Sequence, residues 1–450
     1  MLGLAWPLVL TNLSWIVMGL VDTMMVGRVS AVAIGAVSLG GVVFFTVATF
    51  GVALLLGLDS LVPQAFGAGN LADCRRSLVN GFYLCLPLAL ILMAAIRLLE
   101  LLLAKAGINA AVLASAIPYI RALDCSIPPL LLFALFGGYL RGMNLVKPAM
   151  FAGISANLIN ACGDWILIYG HCGFPKMGAE GSGWATTLAR IYMALVVVGY
   201  TLWHEHRQAS LPGSRQAGVA AGDGLALDLV RIRRLVSLGL PASVQTVVEV
   251  AVFAVATALV GTLSPEWLAA HQIAMQMATF TYMVPLGMAS AAAVRVGQAL
   301  GRGDGAGARH AGWTALAVGV GFMGAAALAF LIFPSTIVRI FTPEAAVIRA
   351  GAALLTVAAF FQLFDGIQTV VTGALRGSGD TRTPMICHFV AYWLIGLPLG
   401  YVLCFNYRMG ARGLWIGLSL ALILIGLALL GVWIRPVRSF EVVPVAALQE

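Results

Sequence analysis

Four carboxylates of this 450-residue chain sit where a carboxylate is costly. Asp22, Asp164, Glu249 and Asp365 each fall inside a run of apolar residues long enough to cross a membrane. An ionised side chain at the centre of a bilayer costs on the order of 3 kcal/mol on insertion scales, so such groups usually face a cavity or a partner. None of the four has a lysine or arginine three or four residues away, so no neighbour on its own helix neutralises it. A buried carboxyl holds a proton when desolvated and yields it when a cation arrives. Exchanging one for the other couples two fluxes without covalent chemistry. Polar side chains accompany the acids at helical spacing. Asn157 and Asn160 lie on or near the face of Asp164, Gln245 lies one turn before Glu249, and Gln368 lies three residues after Asp365. These eight residues form the candidate site for cation coupling and substrate binding. Glu249 and Asp365 would be its metal ligands if the coupling ion were Na+. Arg97 with Glu100, and Arg121 with Asp124, are instead expected to pair locally near outer helix ends, where long side chains reach the interface.

The elements that carry these acids follow from hydropathy. The chain is 61% hydrophobic and 10% charged with mean hydropathy +0.98, outside the range of a charged soluble surface. Runs of about 20 apolar residues, enough for a hydrocarbon core of about 30 Å, fall near 4–26, 31–57, 80–103, 115–139, 149–169 and 183–203. Six more fall near 238–262, 267–292, 311–333, 349–374, 385–405 and 413–434. The first span starts beside Met1 and contains Thr11, Asn12, Ser14 and Asp22 with no small-residue cleavage site, so it is expected to be retained.

The second set repeats the first. Pro7, Val26, Gly27, Ser30, Gln64, Ala65, Gly67, Gly69 and Arg75 recur 234 positions later as Pro241, Val260, Gly261, Ser264, Gln298, Ala299, Gly301, Gly303 and Arg309. Arg141 then pairs with Arg376 and Pro148 with Pro384. An even number of spans per copy makes the repeats parallel, related by a pseudo-two-fold axis along the membrane normal with a cleft between them. The predicted fold is therefore all-α integral membrane: 12 transmembrane helices in two six-helix bundles, 1–204 and 233–436. A polar cytoplasmic linker at 205–232 joins them, and a cytoplasmic tail follows at 437–450. Three of the acids do not repeat: Asp22 maps onto Ala256, Glu249 onto Trp15 and Asp365 onto Leu130. The copies share a scaffold and differ in chemistry.

Basic residues orient the chain. With both termini in the cytoplasm, 16 of the 26 Lys and Arg fall on inner loops and tail and 7 on outer connections, the bias expected of a cytoplasmic-in membrane protein. The same bias accounts for the net charge of +8 without nucleic acid as a partner. No GxxxxGK[ST] stretch, HExxH or GxSxG motif is present, which argues against direct ATP drive and against the hydrolases those motifs mark. No cofactor is expected, and no enzyme activity.

Several segments, taken in order, resemble the multidrug and toxic compound extrusion (MATE) family. They are Val21-Asp22-Thr23-Met24-Met25-Val26-Gly27-Arg28, Pro63-Gln64-Ala65-Phe66-Gly67-Ala68-Gly69, Leu140-Arg141-Gly142, Gly239-Leu240-Pro241, and Gly373 to Arg376 followed by Gly377-x-Gly379-Asp380-Thr381. The resemblance covers essentially the whole chain. It implies export of organic, often cationic, compounds in exchange for H+ or Na+, with Asp22, Glu249 and Asp365 at the positions of the family's acids in helices 1, 7 and 10. Asn160 and Asp164 match polar positions of helix 5. Ile168-Tyr169-Gly170 and Glu249 resemble the NorM-type branch, and Asp164 resembles the other bacterial branch. Phe361 stands where some sodium-linked members have tyrosine, which favours H+.

The expectation is therefore a multi-pass inner (plasma) membrane exporter, monomeric, whose partners are a small organic cation and the lipid bilayer. Two alternatives are weighed: a flippase for lipid-linked saccharide, which would want several basic residues near its substrate and finds only Arg190, and a non-transporting scaffold.

Overall fold

The computed structural model describes residues 1–103, 105, 109–209 and 226–435, and every regular element among them is helical. Among the described residues eleven helices are long and apolar enough to cross a membrane, up to twelve spans if one bent pair is counted as a span. The chain is a multi-pass, all-α membrane protein, as its hydropathy predicts. Its first half runs α1 (Leu2–Gly27), α2 (Ala31–Leu54), α3 (Leu58–Gly67), α4 (Leu71–Leu103), α5 (Ala110–Asp124), α6 (Ile127–Gly142), α7 (Lys147–Tyr169) and α8 (Ala179–Ala209). The second runs α9 (Leu229–Gly261), α10 (Pro265–Gly301), α11 (Gly305–Ile332), α12 (Pro334–Arg339), α13 (Ala345–Ser378), α14 (Arg382–Phe389), α15 (Leu397–Tyr401) and α16 (Ala411–Ile434). Residues 210–225 of the expected linker and the expected tail at 437–450 lie outside the described residues, and the linker's two ends are helical.

The duplication reappears as duplicated helix ends. Ser30 caps α2 by accepting from Ala33 N at 3.0 Å, and Ser264 caps α10 by accepting from Trp267 N at 3.5 Å, 234 positions on. Asn70 receives Asp73 N and Asp304 receives Gly307 N in the same way. Gly69 and Gly303 both stand at φ near +75°, a left-handed conformation that glycine adopts at little cost, and each closes the preceding helix through the next residue's N–H. Asn144 and Gly379, also equivalent in the repeat, do the same for α6 and α13.

The helices differ from the hydropathy runs where physics other than hydropathy acts. α4 begins at Leu71 instead of near 80, α9 begins at Leu229 instead of near 238, and α10 ends at Gly301 instead of near 292. The added turns carry Asp73, Arg75, Arg76, Arg231 and Arg295, which lower hydropathy but do not break a helix. Arg231 ion-pairs with Asp73 and donates to Ser77 at 2.8 Å, tying the start of α9 to α4. The single span expected at 115–139 is two helices bent by 41°, because Pro128 and Pro129 lack the N–H groups needed to continue the preceding helix. The span Arg382–Asn406 passes through two π-helical stretches, Val390–Gly396 and Val402–Asn406.

Two compact units emerge: Leu10–Ser243, here the amino-terminal unit, and Met1–Val9 together with the chain from Val244 onward, the carboxy-terminal unit. α1 and α9 thus each divide near their equivalent prolines, Pro7 and Pro241. In the amino-terminal unit Leu58, Ile96, Ile120, Ile127, Leu135 and Leu140 are fully buried among neighbouring helices. In lipid such packing is driven by van der Waals contact and close approach. The carboxy-terminal unit shows close approach plainly. A Cβ added to Gly373 of α13 would lie 2.2 Å from the carbonyl oxygen of Ala289 on α10.

Candidate functional site

In the amino-terminal unit α1, α7 and α8 converge on Asp22. Asp22, Asn160 and Asp164 are all buried. Thr186 of α8 donates to Asp22 Oδ2 at 3.0 Å, and the Asn160 amide donates to Thr186 Oγ1 at 3.4 Å. Asp164, one turn from Asn160, faces both Asp22 and Ser182. Its two oxygens, together with Asp22 Oδ1, are buried without a hydrogen bond of ordinary geometry among the described residues. Two acids facing each other with acceptors to spare can share a proton or hold a small cation. Asn157, also expected here, turns its amide onto its own helix, donating to Gly153 O at 2.8 Å.

Spacing along the sequence missed the basic member of this cluster. Arg190 of α8 interacts electrostatically with Asp22 and Tyr119. Its guanidinium lies 4.5 Å from the ring centroid of Phe44 and 5.9 Å from that of Trp15, and it donates to Ser126 Oγ. No residue on its own helix gives Asp22 a cation, and Arg190 supplies one from another helix. The expected local pairs are likewise rearranged. Arg97 does meet Glu100, at 3.2 Å, but Arg121 bonds Glu100 and not Asp124, while Asp124 takes Arg97 at 3.0 Å. A further ion pair, Asp59 with Arg141 at 2.7 Å, escaped the sequence reading because Asp59 lies just past the end of the second predicted span.

In the carboxy-terminal unit the acids come from α9 and α13. Asp365 and Gln368 are buried, and the Gln368 amide donates to Asp365 Oδ1 and to Thr369 Oγ1, both at 3.0 Å. Glu249 interacts electrostatically with Asp365, and both act on Tyr282 of α10 and on the buried Tyr392. His388 of α14 had no place in the sequence reading. It lies 2.9 Å from Gln368 Oε1 and 3.4 Å from the Gln245 amide nitrogen, so Gln245 and Gln368 meet on one imidazole. Trp393 donates to the Val248 carbonyl at 3.1 Å, which fixes the α9 backbone beside Glu249. Phe361 packs on Trp415, with centroids 6.0 Å apart. Among the described residues, no group of three or more His, Cys, Asp and Glu is arranged to hold a metal ion.

A duplicated, all-helical, multi-pass scaffold with a buried acid cluster in each unit is the build of a membrane carrier. Comparison with known proteins places it further. The MatE family model matches residues 7–166 and 241–402, covering both copies of the repeat. The chain belongs to the MatE family. It is 36% identical over 423 residues to a probable multidrug resistance protein NorM of Bradyrhizobium diazoefficiens, covering 93% of this chain and 89% of that one. It is 32% identical to the multidrug resistance protein MdtK of Edwardsiella ictaluri, covering 94% and 92%. Among solved structures, the eukaryotic MATE transporter AtDTX14 superposes with a TM-score of 0.79 at 20% identity, covering 97% of this chain and 95% of that one. A MOP superfamily transporter from Pyrococcus furiosus superposes with a TM-score of 0.82 at 18% identity, covering 96% and 94%. At these identities the structural likeness speaks for the fold alone.

Proposed function

We propose that the protein exports small organic cations across the inner (plasma) membrane in exchange for H+, by alternating access, with Asp365 as the coupling carboxyl. It acts as a monomer with both termini in the cytoplasm, and it makes and breaks no bond in its substrate. Multidrug resistance proteins among its full-length relatives support the substrate class. The observation that carries the choice of ion is the setting of Asp365. Its Oδ1 takes the Gln368 amide, which also engages Thr369 Oγ1, so these two oxygens are already committed to hydrogen bonds. Na+ needs several oxygen ligands, whereas a proton needs one carboxyl. Phe361 has no side-chain oxygen to add, and its ring lies against Trp415. In the amino-terminal unit Asp22 and Asp164 offer a second place for proton or substrate, with Arg190 as internal counter-charge.

The test is export of a fluorescent organic cation from proteoliposomes, with a pH gradient and a Na+ gradient imposed separately. Proton drive in the wild type, lost in Asp365→Asn while the protein still inserts, is the expected result. Drive by Na+ alone would overturn the choice of ion, and unimpaired export by Asp365→Asn would overturn the role of that carboxyl.

A further inference from the structure

The hydrogen bonds of Asp365 end in an imidazole, and counting protons along them constrains the state of the whole chain. His388 is fully buried. Its Nδ1 lies 2.8 Å from the carbonyl oxygen of Pro384, one turn back on α14. A carbonyl only accepts, so Nδ1 carries a proton. Its Nε2 lies 2.9 Å from one end of the Gln368 side-chain amide, whose other end lies 3.0 Å from Asp365 Oδ1. That amide has one donor end and one acceptor end, exchangeable by a half-turn.

Each orientation sets a condition. With the Gln368 oxygen toward the imidazole, Nε2 must be protonated, the Gln245 amide 3.4 Å from it must turn its oxygen inward, and the Gln368 amide nitrogen is free to donate to an ionised Asp365. With the amide reversed, nitrogen donates to a bare Nε2, and the oxygen now facing Asp365 needs a proton from that carboxyl. If Asp365 is ionised and His388 neutral, neither orientation serves, because an acceptor meets an acceptor at one end or the other. Leaving buried polar groups unmatched in this way is costly.

We propose that Asp365, Gln368 and His388 form one proton-binding unit, in which His388 is protonated whenever Asp365 is ionised and no substrate is bound. The proposal rests on the reading of Asp365 as the coupling carboxyl. An incoming cation then competes with the imidazolium for Asp365. One substrate cation arrives, and the Nε2–H bond breaks and releases one proton to water. His388 is thereby the group from which the exchanged proton leaves. The titratable groups around it are Glu249 on α9, Tyr282 on α10 and Tyr392 on its own span, which interact with one another and with Asp365. Arg376 on α13 acts on Tyr282 from further along that helix. α16, packed on α14, carries no charged residue between Arg412 and Arg435.

The test reads the imidazole directly. The full-length protein, labelled with 15N-histidine and solubilised in detergent, is titrated by NMR, with the His388 signals assigned by their loss in His388→Gln. In the wild type His388 should titrate as an imidazolium within about pH 5 to 9. Asp365→Asn should lower its midpoint by about 1 pH unit or more. Gln368→Leu should lower it in the same way, and adding Asp365→Asn to Gln368→Leu should move it little further. A midpoint unchanged by Asp365→Asn overturns the proposal, and so does a further full shift in the double variant. Should both variants aggregate on gel filtration, the wild type alone decides, because a His388 that stays neutral throughout also overturns it. The titration needs no transport. Failure of proton-driven export alongside the expected titration would remove the exporter reading and leave the proton unit standing.

Discussion

Replacing Asp59 with leucine strands Arg141 in the interior of the amino-terminal unit, and the loss can be worked from the geometry. The guanidinium Nη2 lies 2.7 Å and Nε 3.3 Å from the same carboxylate oxygen, Asp59 is buried, and the Arg141 side chain is 21% exposed. At an effective dielectric of about 20 the shorter contact is worth about 6 kcal/mol before desolvation. Desolvation offsets much of this in the intact pair, but a lone buried charge keeps the penalty without the attraction. Breaking such a pair costs about 3–5 kcal/mol, whereas replacing both partners with apolar residues is often near neutral. Partial exposure of Arg141 puts the expectation at the low end, about 3 kcal/mol for Asp59→Leu and the same for Arg141→Met. The double variant should recover to within about 1 kcal/mol of wild type. Reversible unfolding in mixed micelles of mild detergent and SDS, followed by tryptophan fluorescence, gives the three differences and the coupling between the sites. If the double variant loses the sum of the two single losses, the pair is not coupled and the reasoning fails. The equivalent of Asp59 in the second copy is Ala293, so no matching cycle exists there.

Two further outcomes follow from packing and hydrogen bonding. Thr186→Val removes the donor to Asp22 Oδ2 and should cost about 1.5–3 kcal/mol in the same unfolding assay, with a smaller loss for Thr186→Ser. Gly373→Leu should destabilise by about 1–3 kcal/mol or more because its Cβ meets the Ala289 backbone. Gly19→Leu, where nothing lies within 4 Å, should change stability far less.

Much of the fold is written locally and so was legible. The 234-residue offset was visible in residue identities, and the paired caps Ser30 and Ser264 and paired turns at Gly69 and Gly303 give it physical content. Hydropathy located each span but not its charged end turns, because a helix continues through Arg231 or Arg75 as readily as through leucine. The acids were legible for the same reason, each standing out against apolar neighbours. Gln368 was legible beside Asp365, but partners on other helices were not. Sequence spacing reports only what lies three or four residues away on one helix, whereas Arg190 reaches Asp22, and His388 reaches Gln368, from other helices. Arg121 shows the converse error, since its near neighbour in sequence, Asp124, is not the acid it binds.

The central claim is that binding an organic cation releases a proton from a site that depends on Asp365. It is tested most directly by adding substrate to weakly buffered, detergent-solubilised protein and recording the pH with an indicator dye. The account predicts about one proton released per substrate bound in the wild type and none attributable to this site in Asp365→Asn. Substrate binding without proton release in the wild type, or equal release from both proteins, would contradict it.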